Sequence, residues 1–400
     1  MEILILIGSL VFIGLLSFYS GEVVEKIKFP ALIGMMIAGM VIGPSFLNIV
    51  PESIIKISPF IKDTALVIVL FIGGLGISLK QMKQIGRPAV LLSVIPATLE
   101  GLTIAVLCKY FLGFTFIQGA ILGFIIAAVS PAVLVPSMIS LIDRKIGQDK
   151  AIPQMLLVGA SADDTIAITL FTTFLGVYMQ KSSGESISIV SQIILIPVTI
   201  IISIMFGWVI GIASKYLFSK INNKSFHIII ALGTSLGMRL IETNFKLEVF
   251  NSLLTVMVYG FFLRAYVEEI AKGILKNMNR IWAVGKLYLF AFVGMAINPK
   301  LVGEFFFVGV ILLTCSLTIR SIGVLISLIG TDLTNKEKLF CVIAYLPKAT
   351  VQSAKAGIPL QMGVVGGEIM QAIAILSVLI TAPIGAIGIK ITAPKYLNQG

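Results

Sequence analysis

The chain reads as an all-α polytopic membrane protein of about thirteen spans. Three observations predict this class. Of the 400 residues, 58% are hydrophobic and only 12% charged, where a soluble globular chain carries about 25% charged residues. The mean hydropathy is +1.05. Apolar runs recur along the whole length, most of them about 17–28 residues long, enough to cross a hydrocarbon core of roughly 30 Å.

The expected spans cover about 3–19, 30–46, 59–79, 87–111, 115–141, 152–179, 188–218, 226–243, 248–266, 281–298, 303–330, 338–357 and 363–390. The first begins MEILILIGSL, without the basic n-region of a cleaved signal peptide, and is expected to be retained. Loops are short; the longest polar stretches, around 180–187 and 266–280, are too small for domains. The second of these, YVEEIAKGILKNMNR, carries both charge signs and is expected to lie at the cytoplasmic interface as a linker. No soluble regulatory domain is expected.

A net charge of +11 would suit a nucleic-acid binder, but its distribution points to topology. Basic residues gather in alternate loops: Lys80, Lys83 and Arg87; Arg144, Lys145 and Lys150; Lys215, Lys220 and Lys224; Lys272, Lys276 and Arg280; Lys336 and Lys338. The positive-inside rule then puts the N-terminus outside and the C-terminus inside. No nucleic acid is implied. The three cysteines, Cys108, Cys315 and Cys341, fall within or beside apolar segments and read as buried thiols. The single histidine, His227, begins the eighth span and reads as a solvated end residue.

Two spans carry proline where an intact helix would suffer. The fifth contains AAVSPAVLVPSM, with Pro131 and Pro136; the twelfth contains VIAYLPKATVQSAKAGIP, with Pro347. Interior proline removes a backbone hydrogen bond and clashes with the preceding turn. Lipid cannot satisfy the freed carbonyls, so such breaks persist where protein or a water cavity covers them. Each is the second span of a triplet, four to six and eleven to thirteen. Interrupted helices at matching positions in two halves point to an inverted-repeat transporter with a midplane site.

Each triplet also contributes buried charge: Glu100 and the adjacent Asp163–Asp164 from the first, Arg320 and Lys348 from the second. A carboxylate at mid-membrane costs roughly 2.5–3.5 kcal/mol on insertion scales, so intramembrane charges are normally paired or functional. Glu100 with Arg320 is expected as a structural ion pair, with Lys348 near the aspartates. Neighbouring residues on a helix point about 100° apart, so one aspartate can face an ion path while the other reaches a neighbouring helix. The two carboxylates repel each other, and one is expected to be held neutral by a proton. A hard monovalent cation such as sodium prefers oxygen ligands, which Asp163, Asp164, freed carbonyls and hydroxyls such as Ser130, Ser161 or Thr350 could supply. Lys348 could pair with an aspartate when no cation is present, or offset the negative end of a half-helix.

At these residues the chain resembles the two-aspartate branch of the monovalent cation–proton antiporter superfamily, and more narrowly the NHA (NHEDC) sodium/proton antiporters. The stretches that carry the resemblance are FPALIGMMIAGMVIGPS, IPATLEG, AAVSPAVLVPSM, GASADDTIAIT and YLPKATVQSA, from residue 29 to about 354. The resemblance implies a homodimer in the plasma (cytoplasmic) membrane and elevator-like alternating access, in which sodium or lithium is exchanged for protons without a cofactor. It implies two crossing broken helices, with a dimerisation part at about 1–80 and 226–298, a core part at about 87–179 and 303–390, and a linker helix at about 188–218. By the resemblance, Asp163 and Asp164 would bind the cation and the proton, with Ser130 beside the fifth-span break, Lys348 in the twelfth span and Glu100–Arg320 as the buried pair; Ser161 and Thr350 stand as supporting hydroxyls from the reading of the residues alone. Many two-aspartate relatives carry lysine where this chain has Arg320. Arginine stays protonated, so it cannot carry a transported proton.

Two other functions compete. Potassium/proton exchange uses the same parts, since ion selectivity lies in cavity size and carbonyl geometry. Sodium-coupled solute uptake would need more polar lining residues than the spans hold. An enzyme is not expected: an intramembrane aspartyl protease needs its two aspartates from different helices, and His227 is poorly placed for a serine–histidine version.

Overall fold

The computed structural model describes residues 2–27, 31–77, 79–183, 189–221, 223–245, 249–296, 299–348 and 356–398. Sixteen helices lie among them: α1 Glu2–Lys26, α2 Ala31–Ile42, α3 Glu52–Leu75, α4 Leu79–Phe111, α5 Phe116–Ile126, α6 Pro131–Asp143, α7 Ile152–Ser183, α8 Ile189–Lys220, α9 Lys224–Phe245, α10 Ser252–Tyr266, α11 Glu268–Met295, α12 Pro299–Glu304, α13 Phe306–Ser327, α14 Asn335–Ala344, α15 Ile358–Gln361 and α16 Gly367–Tyr396. Seven of these (α1, α4, α7, α8, α9, α13 and α16) are each long and apolar enough to cross a membrane. The outward faces of α1 and α8 present residues such as Leu4, Phe12, Ile201 and Phe206, as a lipid solvent permits.

The expected fifth span is two half-helices. It opens at Thr115, whose hydroxyl and Gln118 form a reciprocal capping box, and runs as α5 to Ile126. An extended stretch follows, and α6 starts at Pro131 with Ser130 as its N-cap. Proline suits the first helical position, where its missing N–H would have no partner anyway. Pro136, expected to help break the span, instead lies inside α6. The twelfth span behaves alike: a second capping box, Thr334 with Glu337, opens α14, which stops at Ala344. Pro347 sits in the extended segment beyond it, and residues 349–355, including Thr350, lie outside the described residues.

The two breaks touch. Val129 and Lys348 form an isolated antiparallel bridge, and Ser130 N donates to Pro347 O at 2.8 Å. Extended backbone inside a membrane protein must find internal partners, and here each break supplies them to the other.

Helices α4, α5, α6, α7, α13, α14 and α16 pack among themselves around this crossing; α1, α2, α3, α9, α10 and α11 pack into a second group. Between the groups, α3 meets α6 and α10 meets α7, while α8 lies on both α7 and α10. The second group is drawn close by small residues. A methyl group on Gly39 would strike the Ala291 carbonyl, and one on Gly294 would strike the Met36 carbonyl. Lipid provides no hydrophobic force between helices, so such close backbone approach carries the association. Gly294→Val is therefore expected to part α2 from α11, lowering the recovery of monodisperse protein in size-exclusion chromatography; recovery equal to the parent would contradict this.

Several residues depart from expectation. The charged stretch at 266–280 is no loop: its larger part forms the first half of α11, where Ala271, Ile274, Met278 and Trp282 are buried at helical spacing. His227 is buried, not solvated: its Nε2 lies 2.7 Å from Ile221 O and its ring packs 4.8 Å from that of Phe218, closing the α8–α9 turn. Cys108 and Cys341 are buried, but Cys315 is exposed on α13. A second charge cluster went unforeseen. Arg239 on α9 bridges Asp63 of α3 at 2.9 Å and Glu242 at 2.7 Å, and Glu242 in turn accepts from the backbone N–H of Ser252 at the start of α10.

Candidate functional site

Asp163 and Asp164 sit midway along α7, both buried. Their neighbouring positions send them to different surroundings. Asp163 turns to the crossing, where its Oδ2 accepts the Val129 N–H at 2.8 Å and Arg320 Nη2 at 3.2 Å. That places its negative charge just ahead of the N-terminus of α6, the positive end of the half-helix. Asp164 stands three residues beyond Ser161, which puts the two on one face of α7. The Ser161 hydroxyl lies 2.8 Å from Met257 Sδ and donates to Leu157 O at 3.0 Å, so this face looks toward α10.

Arg320 is the hub. Projecting from α13, it is 1% exposed and spends its donors on four groups. Nη1 donates to Glu100 Oε2 at 2.8 Å and also to Ala127 O. Nε donates to Tyr345 O at 2.9 Å, and Nη2 to Asp163. Ala127 and Tyr345 are the C-caps of α5 and α14. One guanidinium thus serves both half-helix C-termini, where carbonyls lose their helical partners and a cation is favoured.

This refines the expected assignment of the bases. Lys348 lies near Asp163, as expected, but its Nζ bonds to Glu100 Oε2 on α4, and it does not serve the half-helix ends. Its backbone is held in the crossing, with Lys348 N donating to Thr381 Oγ1 at 2.9 Å. The half-helix ends go to Arg320 because a planar fork of five donors reaches two carbonyls and two carboxylates, while an ammonium is a single point charge. Glu100 and Arg320 are paired as expected, but they are not isolated. Lys348, Glu100, Arg320 and Asp163 form a row of alternating charges with sum zero, which meets the requirement that buried ions be compensated. Ser316 Oγ adds a contact to the other Glu100 oxygen at 3.4 Å.

Ser130 is buried at the crossing, its hydroxyl accepting from Val133 N. Pro131 and Pro347 flank the crossing and Pro136 does not. Tyr345, Thr381 and Ser316 are the site neighbours that sequence reasoning missed. Among the described residues no trio of His, Cys, Asp or Glu is placed to hold a metal ion. What converges is a buried carboxylate pair beside two unwound helices: one acid held by arginine and a backbone N–H, the other on the face toward α10. Such an arrangement can trade a proton for a hard cation.

The family described as sodium/hydrogen exchanger, transmembrane, matches residues 9–395. The chain is similar to sodium/hydrogen exchanger 9B2 of Xenopus tropicalis, 31% identical over 407 residues, covering 95% of this chain and 72% of the relative. Sodium/hydrogen exchanger 9B2 of Homo sapiens is 31% identical over 386 residues, covering 92% and 70%. Among solved structures, the sodium proton antiporter MjNhaP1 from Methanocaldococcus jannaschii at pH 8 superposes with a TM-score of 0.79 at 19% identity, over 99% of each chain.

Proposed function

The chain belongs to the sodium/hydrogen exchanger family, and from that premise we propose that it is a secondary active antiporter exchanging Na⁺, or Li⁺, for H⁺. The observation that carries the reading is the buried Asp163–Asp164 pair set against the crossing of two unwound helices. Proton and sodium compete for these carboxylates, so the site is loaded with one or the other and neither leaks alone. Sodium is a hard cation that takes oxygen ligands; Asp164 and Asp163 provide charge, and freed carbonyls at the breaks provide neutral oxygens. Arg320, Glu100 and Lys348 hold the crossing and Asp163 in place.

The group around α4–α7, α13, α14 and α16 acts as the moving core in elevator-like exchange. The group of α1–α3 and α9–α11 forms the homodimer contact, with α8 as the link. The packing of helices into these two groups supports the division. The protein is multi-pass in the plasma membrane, and the alternate basic loops support an N-terminus outside.

The test is exchange in proteoliposomes that trap a pH-sensitive dye. Sodium or lithium added outside is expected to dissipate an imposed pH gradient. A response to potassium alone would replace this reading with potassium/proton exchange, and dependence on an organic solute would replace it with symport.

A further inference from the structure

Two buried oxygens near the crossing lack a hydrogen-bond partner among the described residues: Asp163 Oδ1 and the Tyr345 hydroxyl. Both residues are 0% exposed. A buried polar atom left without a bond is costly, and native proteins rarely tolerate it without a reason. These two are neighbours. The Tyr345 hydroxyl rests directly on Gly159 of α7, where a methyl group would collide with it. Gly159 and Asp163 are four apart on the same helix, so they share one face with Cβ positions roughly 5–6 Å apart. Tyr345 and Asp163 also flank one guanidinium: Arg320 lies over the Tyr345 ring at 5.5 Å and donates to Asp163 Oδ2.

We infer that one buried water links the Tyr345 hydroxyl to Asp163 Oδ1, making Tyr345 a positioning residue for the acid. Two successive O–H···O bonds of about 2.7–2.8 Å each span the separation that the helix face sets. Two polar partners are the fewest that hold a buried water. The phenol donates to the water, and the water donates to Oδ1. Both carboxylate oxygens are then held: Oδ2 by Val129 N–H and Arg320, Oδ1 through the water. The other charged or titratable groups near this spot are Arg320 and Cys341, which act on Tyr345, and Lys348, which acts on Asp163; Asp164, the next position on α7, turns toward α10. Lys348 bonds to Glu100, and Cys341, one turn before Tyr345, is unchanged in both variants below, so a change seen in them reports on Asp163.

The inference rests on the exchange reading for its kinetic part and not for its structural part. Tyr345→Phe keeps the ring over Arg320 but removes the donor that favours negative charge on Asp163. More sodium is then needed to displace the proton. The sodium KM is expected to rise about threefold or more at acidic pH, further than kcat falls, and to converge on the parental value at alkaline pH. Gly159→Ala, which pushes the hydroxyl away, is expected to reproduce the same change. Independently, a high-resolution electron cryo-microscopy map of the parent is expected to show a density peak between the two oxygens that is lost in Tyr345→Phe. A parental map with no such peak, or an unchanged KM–pH profile in both variants, overturns the inference. Absence of any sodium-linked exchange in the parent alongside a clear water peak would instead overturn the function and leave the water in place.

Discussion

Asp164→Asn is expected to reduce sodium-driven proton movement to the level of protein-free vesicles. Asparagine keeps the shape and volume of the side chain but removes the charge that a cation needs and the proton that exchange requires. The bonds of Asp163 to Val129 and Arg320 belong to the neighbouring position and remain in this variant. The variant is therefore expected to insert while failing to transport. Asp163→Asn should also abolish exchange, with a structural penalty, since Arg320 loses a carboxylate and keeps only Glu100. The comparison is made in the dye-loaded proteoliposomes at matched protein density. Parental exchange rates in a correctly inserted double variant, Asp163→Asn with Asp164→Asn, would sink the site assignment.

The second large effect is on stability, from Arg320→Met. Methionine fills similar space in an apolar setting but serves none of the four groups that Arg320 binds. Removing one member of a buried ion pair typically costs about 3–5 kcal/mol, because the partner charge is left uncompensated. Here Asp163 loses its bridge, and the carbonyls of Ala127 and Tyr345 lose a donor, at about 1–3 kcal/mol for each acceptor left unsatisfied. The expected result is a large drop in thermal midpoint in detergent, with no exchange at temperatures where the parent is active. Glu100→Gln should also destabilise, but less. It leaves Arg320 its carbonyls and Asp163, and its chief cost is two cations with no anion between them. Equal midpoints for parent and Arg320→Met would show that the crossing does not depend on this side chain.

Much of this architecture was legible in the residues. Long apolar runs announce a helical membrane protein, and the prolines at 131 and 347 lie at the two interruptions, Pro131 opening α6 as its first residue and Pro347 standing beyond the end of α14. The buried charges stand out against their apolar surroundings. The partners of each base were less legible. Arg320 and Lys348 fall at similar depth in neighbouring spans, and which of them reaches Asp163 depends on helix rotation and on how far the Lys348 backbone is drawn into the crossing. Linear spacing encodes neither. Pro136 misled because one proline in a run of two starts a half-helix and the other is carried inside it. His227 misled because its burial depends on Phe218 and Ile221 folding back across a turn. Two signals were present and overlooked: Thr115 with Gln118, and Thr334 with Glu337, have the spacing of a capping box, and each opens the first half of a broken helix. The contribution of Tyr345 has no sequence signature. It comes from a glycine on another helix that makes room for its hydroxyl.

Because a single guanidinium is fastened to the ends of both interrupted helices, neither can slide without dragging its counterpart. The crossing therefore behaves as a riveted joint, and internal shear there would have to break several buried bonds at once. On the proposed exchange, a displacement that turns the acidic pair from one membrane face to the other would fall instead on the boundary where α3 meets α6 and α10 meets α7, and hinge and grip would be separate parts of the molecule.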